Sequence, residues 1–77
     1  MDAHIYQKGH REPLEVEDLN EIQYFSVEKD GQQTLSHNFS SFSLNAVVSE
    51  VKFIGNKEET VIVRAEDIES IKFDESF

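Results

Sequence analysis

The chain has no cysteine and no tryptophan, one proline, one methionine and three glycines. Without cysteine there is no disulfide, so burial and backbone hydrogen bonds alone must hold any fold. Three isolated glycines exclude a glycine-rich phosphate loop. Apolar runs stop at two or three residues, as in Val47-Val48 or Val61-Ile62-Val63. The reading is therefore no membrane span and no export signal, with a cytoplasmic location expected. Basic residues are scarce as well. Seven Lys and Arg stand against 16 Asp and Glu, for a net charge of -9. That balance argues against broad contact with phosphate backbones or anionic membranes, so neither direct nucleic-acid binding nor a membrane is expected. At 77 residues the chain makes one domain that buries only about 60% of its unfolded surface, which leaves little to wall off an active-site cavity.

What is present argues for a folded protein. Six Phe, two Tyr and β-branched runs are atypical of disordered tails, despite the high net charge. After Met1, residues 2–13 contain only Ile5 and Tyr6 as sizeable apolar groups; residues 1–13 read as a loosely ordered arm or a short strand around His4 to Gln7. Pro13 marks a boundary, and residues 14–77 read as one small β-rich domain. Leu14 to Glu21 is ambiguous, since Val16, Leu19 and Gln23 fit a helical stripe while Leu14 and Val16 alternate as in a strand. Ile22 to Glu28 reads as a strand, followed by the turn dipeptide Asp30-Gly31 and a return strand through Thr34-Leu35. A Ser-rich connection, His37 to Ser43, carries Phe39 and Phe42, either as an exposed contact patch or folded back as a lid. Leu44 to Ile54 is the longest strand candidate, and its change of phase predicts either a β-bulge near Val47-Val48 or a strand buried on both faces in its first half. Gly55-Asn56-Lys57 is a second turn before a strand from Thr60 to Ala65.

The sequence echoes itself. Val16-Glu17-Asp18-Leu19-Asn20-Glu21-Ile22-Gln23-Tyr24 matches Ala65-Glu66-Asp67-Ile68-Glu69-Ser70-Ile71-Lys72-Phe73 in residue type at most positions. Such a pattern predicts a one-turn helix leading into an edge strand, used twice, with Asp18 and Asp67 as caps. The echo also gathers charge, because ten of the 16 acidic residues lie between Glu12 and Glu21 or between Glu66 and Glu75. If the two turns are neighbours in space, they form one acidic face.

Reactive patterns are missing. The three histidines, His4, His10 and His37, show no zinc-ligand spacing. No serine stands in a turn that exposes a nucleophile beside a histidine and an acid, and pKa tuning of a carboxylate pair needs a dry pocket. Tyr24 and Phe25 lack the basic groove that base stacking requires and read as core. No enzyme activity and no cofactor are expected.

Two short resemblances accompany these patterns. The ending Lys72-Phe73-Asp74-Glu75-Ser76-Phe77 resembles the acidic, Phe-terminated tails of single-stranded DNA-binding proteins, which implies docking into a basic-rimmed apolar pocket. Ile54-Gly55-Asn56-Lys57 and Glu69-Ser70-Ile71 resemble segments of the phage uracil-DNA glycosylase inhibitors, but they occur here in reversed order, so that family is not assigned.

The expected fold is mainly β: a small bent sheet or small barrel of about five strands with one or two single-turn helices, the alternative being α+β with a helix near 14–21. The expected core is Ile22, Phe25, Val27, Leu35, Val47, Val51, Phe53, Val61, Val63, Ile68, Ile71 and Phe73. The expected function is a non-catalytic protein-binding module that docks a basic protein surface through Glu17, Asp18, Glu21, Glu66, Asp67, Glu69, Asp74 and Glu75. The alternative is a phage- or mobile-element-type DNA-mimic inhibitor of a nucleic-acid-binding protein, in which the same carboxylates stand in for phosphates.

Overall fold

The computed structural model describes residues 1–29, 31–45, 47–56 and 59–74. Among the described residues seven strands form: β1 (Asp2–Gln7), β2 (Leu14–Val16), β3 (Leu19–Ser26), β4 (Gly31–Leu35), β5 (Val47–Gly55), β6 (Thr60–Arg64) and β7 (Ile68–Asp74). Two short 3-10 turns, Phe39–Ser41 and Ala65–Asp67, accompany them, and no long helix is present among the described residues. The strands make two antiparallel sheets, one in the order β2-β1-β7 and one in the order β4-β3-β5-β6.

The chain crosses between the sheets at two corners. Glu17-Asp18 carries it from β2 to β3, and Ala65–Asp67 carries it from β6 to β7. At both corners the backbone leaves the extended conformation, with Asp18 at φ 48° and Ala65–Asp67 in a 3-10 turn. Hydrogen-bonded ladders stop there, so no closed barrel forms and the expectation of a small barrel is corrected to two sheets. The strands number seven among the described residues, against the expected count of about five. The helix near 14–21 is not formed. Val16 pairs with Ala3 in one sheet and Leu19 with Gly55 in the other, so both are buried because the chain turns between them, not because they share a helical face.

The inner faces of both sheets bury one core. Ala3, Ile5, Val16 and Ile68 come from the three-stranded sheet; Leu19, Ile22, Val51, Phe53 and Val63 come from the four-stranded one; Phe39 comes from the connection after β4. Of the expected core, Leu35, Val47, Val61, Ile71 and Phe73 are partly buried against this cluster. Phe25 and Val27 are corrected to the surface, at 46% and 65% exposed. Alternation along β3 buries Ile22 and turns Tyr24 inward, which leaves Phe25 on the outer face, and Val27 lies beyond the strand end.

Opposite Tyr24-Phe25 the register of β5 slips: Tyr24 pairs with Val51, but Phe25 pairs with Val48. Ser49, at φ 69°, and Glu50 are the additional residues. This is the expected bulge, placed just after Val48, and it sets the phase that buries Val51 and Phe53. Because β4 and β5 flank β3, their connection must cross it. Phe39 stacks on Phe73 with ring centroids 6.2 Å apart, and Phe42 meets Tyr24 edge-on at 5.0 Å. The Ser-rich connection is folded back as a lid.

Candidate functional site

Strand β1 is the organising element, because each of its ends fastens one corner. At its start, the Asp18 N–H donates to Asp2 Oδ1 at 3.0 Å and the Leu19 N–H donates to the Met1 carbonyl at 2.7 Å. The Asp18 carbonyl accepts from the Asn56 N–H at 3.0 Å, which ties in the end of β5. At the other end of β1, the Lys8 N–H donates to the Asp67 carbonyl at 2.8 Å. The expected caps are therefore corrected. Among the described residues neither Asp18 nor Asp67 accepts a backbone bond through its own carboxylate; Asp2, from the neighbouring strand, does that work at the first corner, and the 3-10 turn has no side-chain cap. Only the second echoed segment contains a helical turn leading into an edge strand; the first is a bend leading into β3, an inner strand.

This placement separates the acidic residues into two groups. Asp2 to Lys8 spans six residue steps, or about 20 Å of extended chain, and the two corners lie at opposite ends of that span. Glu17, Asp18 and Asp74 gather at the first end, where Asp74 lies directly across from Asp2 in the ladder. Glu21 follows on β3, half-buried and opposite Ile54. Glu66, Asp67 and Glu69 are at the second end, where Glu66 pairs with Arg64 at 3.3 Å. Glu75, together with the tail resemblance that rests on it, lies outside the described residues.

Three residues that sequence spacing does not single out complete the first end: Asp2, His4 and Glu15. The ring of His4 stands between two strands, with Nδ1 3.2 Å from Glu15 Oε1 on β2 and Nε2 3.2 Å from Asp74 Oδ2 on β7. Both nitrogens donate at once only in the imidazolium form. Lys72 Nζ lies 4.0 Å from Asp74 Oδ1. No local pattern announces this arrangement, since Glu15 and Asp74 meet His4 only through the register of β1 with its two neighbours.

Gly55 makes the first end possible. A Cβ on this residue would lie 2.6 Å from the Glu17 carbonyl oxygen and 2.8 Å from Val16 Cγ1, so the close approach of β5 to the corner requires a residue without a side chain. Elsewhere, the outer face of the four-stranded sheet holds an open depression lined by Gln23, Phe25, Gln32, Val48 and Lys52. Among the described residues no group of His, Asp and Glu is arranged to hold a metal ion, and no helix is long and apolar enough to cross a membrane. Compared with protein-family models, curated proteins and solved structures, the chain matches none.

Proposed function

We propose that the protein is a non-catalytic binding module that docks a basic protein surface through the end of the three-stranded sheet carrying Glu17, Asp18 and Asp74. One observation carries this reading. Three strands and a corner bring Asp2, Glu15, Glu17, Asp18 and Asp74 together, with His4 and Lys72 as the basic side chains beside them among the described residues. Charges at such a site steer a cationic partner and set its on-rate more than its final affinity. Docking is preferred to DNA mimicry because a mimic needs its carboxylates in one phosphate-like strip. Here the two acidic groups are separated by the length of β1, with the uncharged pair Tyr6 and Ser70 between them on the outer face.

The test uses a Lys/Arg-rich peptide as probe. Retention on the immobilised protein should fall severalfold between low salt and about 0.5 M salt, as screening shortens the reach of each charge. Glu17→Gln with Asp74→Asn should weaken it more than Glu66→Gln with Glu69→Gln. Retention that ignores salt, or equal loss from both pairs, would overturn the reading.

A further inference from the structure

The two sheets have four outer strands, and three of them are guarded by charge. Strand β2 carries Glu15 and follows Pro13, β6 carries Arg64, and β7 carries Glu69, Lys72 and Asp74. Charge, proline and bulges on an outer strand are the ordinary means of preventing another strand from adding to it. Strand β4, Gly31-Gln32-Gln33-Thr34-Leu35, has none of them. It carries no charged residue and no proline, and its ladder with β3 runs from Ile22↔Leu35 to Ser26↔Gly31 without a register slip. It also opens the longest neutral stretch of the chain: from Gly31 to Ser49 there is no Asp, Glu, Lys or Arg. Beside it on the outer face, Phe25 and Val48 are 46% and 40% exposed.

We propose that this edge is where two copies of the chain meet, β4 pairing antiparallel with β4 of a second copy about a two-fold axis near Gln33. The charge distribution selects that occupant. Each copy has a net charge of -9, so most approaches bring carboxylates towards carboxylates. Across β4 a neutral edge meets a neutral edge, and no charge has to leave water. A two-fold axis makes the contact self-complementary. With Gln33 on the axis, Gln32 faces Thr34 of the second copy and Gly31 faces its Leu35. The four-stranded sheets then join into one of eight strands, and Phe25, across from Gln32 in the ladder, lies beside the seam.

Sedimentation equilibrium tests this. The chain should show a monomer–dimer equilibrium whose dimer fraction rises with salt, because screening relieves repulsion between the two copies. On the axis residue 33 meets its own copy, so Gln33→Glu and Gln33→Lys should each weaken the dimer by about tenfold or more, by placing like charges face to face. An equimolar mixture of the two variants should restore it. Ile62→Lys, on β6 at the far edge of the same sheet, should leave the equilibrium unchanged. Should either Gln33 variant lose its far-UV circular dichroism, the double variant Gln32→Lys with Thr34→Lys, which sets Lys against Lys across the seam, should weaken the dimer in the same way. A monomer at every concentration and salt would overturn the proposal. So would a dimer indifferent to these variants, or folded Gln33 variants that remain apart when mixed.

Discussion

A methyl group added at Gly55 would meet the Glu17 carbonyl oxygen at 2.6 Å, and backbone on both sides would have to move. Gly55→Ala should therefore cost about 1–3 kcal/mol, the range for overpacking a tight site, read as a lower urea midpoint with an unchanged slope. Asp18 illustrates the opposite case, a position whose backbone is strained and whose side chain is free of it. At φ 48° a residue with a Cβ costs about 1–2 kcal/mol, least for Asp and Asn, so Asp18→Gly should be tolerated while Asp18→Val destabilises by about that amount. Asp67→Ala should change stability by less than about 0.5 kcal/mol, as surface substitutions do, because its contribution to the corner is its carbonyl rather than its carboxylate. Asp2→Ala should cost more than Asp67→Ala in the same urea titration, since it removes the acceptor for the Asp18 N–H.

At the scale of elements, burial follows from where the two sheets face each other. Phe53 is fully buried and Val27 is 65% exposed. Phe53→Ala should cost about 3–5 kcal/mol, a large share of a total stability of about 5–15 kcal/mol, whereas Val27→Ser should stay within about 0.5 kcal/mol. The bulge in β5 is a second such device. Ser49 stands at φ 69°, and Ser49→Gly relieves that strain at the cost of a more flexible unfolded chain. It should be neutral to slightly stabilising, while Ser49→Val should lower the melting temperature by several degrees, about 4–8 °C per kcal/mol for a domain of this size. The lid depends on its aromatic contacts: Phe39 is 8% exposed against Phe73, and Phe39→Ala should expose the core below it and speed hydrogen exchange along β7.

For the whole molecule the dominant electrostatic fact is a charge of -9 on 77 residues. Self-repulsion of that size opposes the compact state. The melting temperature should rise from low salt to about 1 M sodium chloride, where the screening length falls to roughly 3 Å. A flat or falling response would mean that local pairs, above all His4 with Glu15 and Asp74, outweigh the repulsion. The two acidic ends then differ in a measurable way: with the His4 ring protonated, His4→Gln should lower stability at low salt more than Arg64→Gln, because His4 touches two carboxylates and Arg64 touches one.

The sequence by itself determined the class of this fold. Alternating Ile22 and Tyr24, the β-branched run Val61-Ile62-Val63 and the boundary at Pro13 mark strands and breaks through local chemistry, which needs no distant partner. It also held the two corners, as the echo of Val16-Glu17-Asp18-Leu19 in Ala65-Glu66-Asp67-Ile68, without revealing that they join two sheets. Only the tertiary structure decided the rest. Phe25 is as apolar as Phe53, and it lies outside because β3 has one inward face, which its alternation gives to Ile22 and Tyr24. Ala3 and Ile5 look too few to anchor anything, yet they are fully buried because β1 takes the central place between β2 and β7. Asp2, His4 and Glu15 enter the candidate site for the same reason. Cross-strand register is a relation between distant segments, set by loop closure and shared burial, and no spacing within one segment encodes it.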